Sequence, residues 1–160
     1  CGKKLMNYQT LDKYLPHKAP MILLDKVIEV TEQYSICEAI VNHEGVLAPF
    51  LTEQGNLSSW YFVELMAQTI GVWNGVRLHH VKKLPNIALL LGVRGFTSSV
   101  NEAEYNDVLH IKADLTLFDD TICSFRCYVM REQDVIAQAN LVVYEAADQN
   151  IEQIFDWKTK

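Results

Sequence analysis

The order of segments along the chain predicts an α+β fold, an antiparallel sheet wrapped around one long central helix. Residues 58–75, "SSWYFVELMAQTIGVWNG", are apolar almost all the way round, as a helix buried on every side must be. Two β-branched stretches precede it, and everything after Pro85 alternates like sheet. One buried helix among antiparallel strands is most simply covered by a sheet that curves around it.

The elements follow in order. "LDKYLPHKAP" (11–20) holds two prolines and reads as a short helix or turn leading into a strand. "MILLDKVIEVTE" and "YSICEAIVN" are strands separated by a polar turn at Thr31–Gln33. "HEGVLAPFLTEQGN" is a loop broken by Gly45, Pro49 and Gly55. Ser58 or Ser59 caps the helix, since a hydroxyl accepts from the open amides of a first turn. The helix runs to about His80, where His79, His80, Lys82 and Lys83 suit the negative end of its dipole. The later strands are "NIALLLGVRGFTSSV", "DVLHIKADLTLF", "TICSFRCYVM" and "VIAQANLVVYEA", with turns at Asp119-Asp120 and Arg131–Asp134.

The 160 residues, 49% hydrophobic, suffice for one domain with a proper core. A net charge of −6 argues against a non-specific nucleic-acid binder. The longest unbroken apolar run, Ile87–Leu91, falls far short of the roughly 18 residues a spanning helix needs. Cys123 and Cys127 share a strand face about 13 Å apart, too far to bridge. Free thiols and a cytoplasmic location are expected. The chain opens on Cys1, as a mature bacterial lipoprotein does; residues 1–6 are read instead as a tag or flexible N-terminus, with 7–160 as the domain.

Glu64 stands inside the apolar helix. An isolated carboxylate in a dry interior is costly, so it must be paired, neutralised or functional. On its face lie Trp60, Tyr61, Ala67, Gln68 and Gly71. Ala67, Gly71 and Gly75 form a shallow stripe at four-residue spacing. Glycine costs a helix about 1 kcal/mol against alanine, so the stripe points to close approach of sheet, partner or substrate. The plain structural alternative pairs Glu64 with Arg94 or Arg126 and lets Gln68 satisfy a backbone group.

Two motifs bear on that choice. "YLPHKAPMILLDKVIEV" (14–30) resembles the opening of 3-hydroxyacyl-[acyl carrier protein] dehydratases, and "VELMAQTIGV" (63–72) resembles the central helix that carries their catalytic acid. The resemblance implies a hotdog fold, in which a sheet wraps one long helix and two such units pair. "PHKAPMILLDKV", "GVLAPFL", "FVELMAQTIGVWNG", "LLLGVRGF" and "ANLVVYE" are similar to the dehydratase-like proteins of bacterial aryl polyene pigment pathways. A 3-hydroxyacyl chain on acyl carrier protein is then the implied substrate. The implied partner is a second copy or a related hotdog dehydratase, and no metal or diffusible cofactor is implied.

The chain departs from the fatty-acid enzymes at one position. Their catalytic histidine lies fourteen residues before the glutamate; that count reaches Phe50 here, and no histidine lies between His43 and His79. Ser59 replaces the glycine that supplies a backbone amide near their helix start.

Dehydration needs a base at C2, an acid for the leaving hydroxyl, and donors for the thioester oxygen. Burial in the helix would raise the pKa of Glu64 and keep it protonated as the acid. His17, between Pro16 and Pro20, is the preferred base; its alternative is to fix the N-terminal turn to the sheet. His43 is the second candidate, with plain solvation as its alternative. Amides around Ser59 and Trp60 are oriented to serve the oxygen. Phe50, Trp60 and Tyr61 are candidates to line the acyl path, with core packing as their alternative. Gln68 is a candidate substrate contact. Arg77, Lys82, Lys83 and Arg94 are candidates for docking an acidic carrier, with a solvated face as their alternative. A non-catalytic hotdog subunit and an acyl thioesterase are the competing readings.

Overall fold

Where the sequence alternates, the chain is sheet. The computed structural model describes residues 8, 10–15, 21–80, 87–119 and 121–146. Strands β1 (Lys26–Val30) and β2 (Tyr34–Ile40) form a hairpin, closed by Thr31, whose Oγ1 accepts from the amides of Gln33 and Tyr34. A two-residue strand β3 (Leu57–Ser58) leads into helix α1 (Phe62–His80). Then come β4 (Ile87–Ser98), β5 (Glu102–Ala103), β6 (Val108–Asp119), β7 (Ile122–Arg131) and β8 (Asp134–Ala146). The main sheet has the order β1-β2-β6-β7-β8-β4 with every pairing antiparallel, while β3 and β5 pair apart from it. This is the α+β arrangement expected from the sequence, one long helix against one face of an antiparallel sheet.

The inner face is built for close approach. Ser35, Cys37 and Ala39 of β2, Ala113 of β6, Cys123 and Cys127 of β7 and Ala139 of β8 are all buried and all small. Larger side chains, Leu109, Ile111, Phe125 and Leu141, alternate among them. Ser35 Oγ donates to the helix carbonyl of Thr69 at 2.8 Å, so even the polar member of the face is spent on the helix. Register shifts interrupt β1, β4, β6 and β8, and such bulges bend and twist a strand. Gly95 sits at one of them with φ +62°, a conformation that favours glycine.

The far half of α1 is fixed by an aromatic and ionic buttress. Trp73 is 4% exposed and meets the Phe125 ring edge-on at 5.2 Å. Arg77 lies over both Trp73 and Phe118 at 5.4 Å, and its guanidinium donates to Glu145 at 2.6 Å and to Asn74 at 2.7 Å. Arg77 is thus committed to the fold, which corrects its assignment to a carrier-docking patch. Lys82 and Lys83 lie outside the described residues.

Two boundaries differ from expectation. The first strand begins at Lys26 rather than Met21, because the Leu23 amide is already taken by Gln68. The loop before the helix contains a 3-10 turn, Ala48–Phe50, and β3, both too short for any periodicity to show.

The glycine stripe is filled by the chain's own N-terminal segment. A methyl at Gly71 would stand 2.7 Å from Leu15 Cδ2, and one at Gly75 would press into the Tyr14 backbone, 2.8 Å from its Cα. Backbone cannot yield as a flexible side chain can. Gly75→Ala should therefore destabilise the protein by ~2 kcal/mol through overpacking, outweighing the gain in helix propensity. Urea denaturation measures this, and equal or greater stability of the variant would refute the packing.

The three described cysteines are free and buried, and burial pushes the thiols of Cys37 and Cys127 up to about 12. Thiolate is the reactive form, so iodoacetamide at pH 8 should leave both intact in the folded protein and label both in urea. Mass spectrometry finding either one alkylated in the native state would contradict their burial.

Candidate functional site

The acid of the central helix lies on a face defined by contacts. Glu64, Gln68, Gly71 and Gly75 recur at positions i, i+4, i+7 and i+11, one stripe along α1. Tyr14 packs on Gly75 and Leu15 on Gly71. Gln68 then holds residues 21–23: its Oε1 accepts from the Leu23 amide at 2.8 Å and its Nε2 donates to the Met21 carbonyl at 2.8 Å. The same Nε2 donates to Glu64 Oε1 at 3.1 Å. Gln68 thus satisfies backbone groups, as the plain alternative held, and it also meets the acid.

Glu64 itself is exposed in this chain, and here the expectation of burial is corrected. The reason is geometric. Its neighbours on the sheet side, Leu65 and Met66, are fully buried and occupy the core, which turns Glu64 outward on the opposite side. Two large apolar side chains in its neighbourhood of the fold are also exposed. Trp60, one turn earlier, is 85% exposed, and Met21, whose carbonyl Gln68 holds, is 59% exposed.

The helix start also differs from expectation. The chain makes a 3-10 turn at Ser59–Tyr61 before α1 begins, with Ser58 as its cap. The Ser59 amide donates to Asn101 O at 2.8 Å, because β3 pairs with β5 and brings residue 101 alongside. The Trp60 amide donates to Ser58 Oγ at 3.2 Å. Both amides assigned to the thioester oxygen already have acceptors within the chain, which corrects that role for Ser59 and Trp60.

Phe50 ends the 3-10 turn Ala48–Phe50 and packs against Tyr61, ring centroids 5.5 Å apart. Both rings are half-buried against the core beside the helix start. Phe50, fourteen residues before Glu64, is thus one member of an apolar pair beside the helix start. His17 lies outside the described residues. His43 is exposed and tilts against Tyr105 at 5.5 Å, in the loop that holds Gly55. His79 meets the Tyr14 ring edge-on at 6.1 Å, and His110 bonds Glu38 at 3.0 Å on the outer side of the sheet. These contacts give His79 and His110 structural work.

A second apolar surface was not singled out from the sequence. Among the described residues β4 pairs only with β8, and Leu90, Leu91, Val93 and Phe96 along it are all exposed. A long apolar edge strand is a template for pairing with another chain. The signal was present in "IALLLGVRGF", whose apolar residues do not alternate with polar ones.

No helix among the described residues is long and apolar enough to cross a membrane. The chain is 35% identical to a chain of the dehydratase heterocomplex ApeI:P from Xenorhabdus doucetiae, with a TM-score of 0.88, covering 93% of this chain and 99% of that one. It is 26% identical over 139 residues to the 3-hydroxyacyl-[acyl-carrier-protein] dehydratase FabZ of Acinetobacter baumannii, covering 86% of this chain and 94% of that protein. The corresponding protein of Acinetobacter baylyi is 25% identical over 144 residues, with coverage of 86% and 93%. The fold is the hotdog fold that the sequence motifs implied. The ApeP-like family model, described as ApeP dehydratase, matches residues 9–156, and the chain belongs to that dehydratase family.

Proposed function

We propose that this dehydratase removes water from a 3-hydroxyacyl thioester carried on acyl carrier protein, giving the trans-2-enoyl form, within aryl polyene or polyketide-like biosynthesis. The observation that carries the reading is a carboxylate hydrogen-bonded by a buried amide, on the helix that matches the family's acid-bearing motif.

In this reading Glu64 protonates the C3 hydroxyl as the C3–O bond breaks. A base takes the C2 proton, and the electron pair of that C–H bond becomes the C2=C3 double bond. His17 is the proposed base. The described residues on either side of it support this, since Leu15 lies on Gly71 and the Met21 carbonyl lies on Gln68, both on the face of Glu64. Phe50 and Tyr61 keep the helix start apolar for the acyl chain.

The site works as half of a pair. A second hotdog unit on the β4 edge would bury Leu90, Leu91, Val93 and Phe96 and supply a wall beside Glu64, excluding the water that weakens any electrostatic catalyst. The Xenorhabdus doucetiae neighbour is a heterocomplex. A related hotdog dehydratase is accordingly the proposed partner, with a second copy of this chain as the other possibility that the test separates.

Incubation with a 3-hydroxyacyl carrier protein should yield a product lighter by one water in mass spectrometry. Glu64→Gln and His17→Ala should each cost about 10²–10⁴-fold in kcat. Loss of the whole acyl group would replace this reading with a thioesterase, and an unchanged mass would leave a non-catalytic subunit. Full activity in either variant removes that residue from the mechanism.

Sedimentation velocity tests the pairing. The chain, alone or co-expressed with a related hotdog dehydratase, should run as a dimer, and Leu91→Asp should shift it to monomer with loss of turnover. A variant that stays dimeric and active would place the interface elsewhere.

A further inference from the structure

The later turns of α1 border a cleft on the side away from the acid. Trp73 stands nine residues after Glu64, two and a half helical turns on, and so leaves the helix in the opposite direction. Beside it lies a cleft of about 520 Å³, lined by Val30, Trp73 and Val76, with Glu32, Arg77 and His80 as its charged or titratable members. The apolar surface continues past the cleft. Phe118, 6.3 Å from Trp73 and under the same Arg77 guanidinium, is 47% exposed. A space of this size falls in the range of clefts that hold a ligand or a group of side chains.

The sequence supplies an occupant at the same place. β8 delivers the chain to the cleft: Glu145 accepts from Arg77 at 2.6 Å, the Glu145 amide donates to the Thr121 carbonyl at 2.8 Å, and Ala146 follows opposite Ile87. Residues 147–160 come next, "ADQNIEQIFDWKTK". Ile151, Ile154 and Phe155 fall at i, i+3 and i+4, the spacing of one helical stripe, with Glu152, Gln153 and Asp156 off it. A stripe of that kind needs an apolar surface to lie on. The stretch from Ala146 to Ile151 spans roughly 17 Å when extended. That exceeds the ~10–12 Å width of a helix with its side chains. The family match runs to residue 156 and so takes in the whole stripe.

We propose that residues 147–160 fold back over the last turns of α1 and seat Ile151, Ile154 and Phe155 in the cleft beside Val30, Trp73 and Val76. Both partners then lose apolar surface to each other instead of to water. The Arg77–Glu145 pair gains a second purpose, since it fixes the point from which the segment turns toward the helix. The cleft lies across α1 from Glu64, so the docking depends neither on the dehydratase reading nor on the pairing proposed above.

Two measurements on the full chain decide the matter. In the first, Phe155 is replaced by the photo-reactive p-benzoylphenylalanine, a change that keeps an aromatic ring at the position. 14N- and 15N-labelled chains are refolded together from urea and irradiated. Mass spectrometry should find the cross-link at residues 30–32 or 73–80, with both peptides carrying the same isotope. Cross-links elsewhere overturn the proposal, and mixed-isotope pairs overturn it in favour of a second copy as the occupant.

The second follows the indole N–H of Trp73, which donates to the Glu32 carbonyl at 3.3 Å beside the cleft. Its 15N signal is identified by removing those of Trp60 and Trp157 with Trp60→Phe and Trp157→Phe. In a chain carrying Ile151→Ser and Phe155→Ser, the Trp73 signal should shift and exchange faster with water, while that of Trp60, before the other end of α1, stays in place. A Trp73 signal that does not move, or moves no more than that of Trp60, refutes the docking.

Discussion

The seating of the N-terminal segment on one face of α1 is the constraint from which the rest of the structure follows. Tyr14 and Leu15 reach the helix only because Gly75 and Gly71 leave no side chain in the way. Once the segment is down, the polar backbone of residues 21–23 lies against an apolar helix with no strand partner of its own. An unsatisfied buried backbone group costs roughly 1–3 kcal/mol; Gln68 removes that penalty at the Leu23 amide and also bonds the part-buried Met21 carbonyl. The sheet can then begin at Lys26, where the Asp25 amide already bonds the Glu38 carbonyl and Asp25 Oδ2 accepts from the Ile40 amide. Helix, segment and first hairpin are one mechanical unit.

The functional face inherits its geometry from that unit. Glu64 stands one turn before Gln68, so the side chain that secures the segment also meets the acid. Because one residue serves both ends, the carboxyl group is tied to the backbone of residues 21–23. The opposite side of the helix has nothing to contribute to this chemistry. Its neighbours Leu65, Met66 and Ile70 are sunk against the small residues of β2, β6 and β7, and that interior is already packed.

Much of this was legible in the residues themselves. The run 58–75 is apolar almost all the way round and uninterrupted by proline, which reads as a buried helix, and α1 is described over Phe62–His80. Strands β6 and β7 alternate because one face of the sheet is core and the other is not, whereas β4 does not alternate. The glycine stripe announced a close approach but not its occupant, since small residues make room without saying for what. The exposure of Glu64 was not legible. In a helix this apolar the pattern shows no polar face, and only the three-dimensional packing distinguishes the side turned to the sheet from the side left open. The engagement of the Ser59 and Trp60 amides was hidden for a different reason: it depends on two strands of two residues each, below any periodic signal.

The open side is where the physics remains unbalanced within a single chain. A hydroxyl is a poor leaving group, so the proposed step gains little unless the surroundings are of low dielectric. Trp60, just before α1, and Met21, whose carbonyl Gln68 holds, are both largely in solvent, where they gain nothing from burial. The chain has also left Leu90, Leu91, Val93 and Phe96 along an edge strand that pairs on one side. No packed element of the described chain can cover both surfaces, because the helix and the inner sheet face are already spent on each other. Two unsatisfied apolar surfaces and one under-insulated acid are answered together if a second subunit of similar shape closes over them. Drying the acid and forming the dimer then become a single equilibrium rather than two.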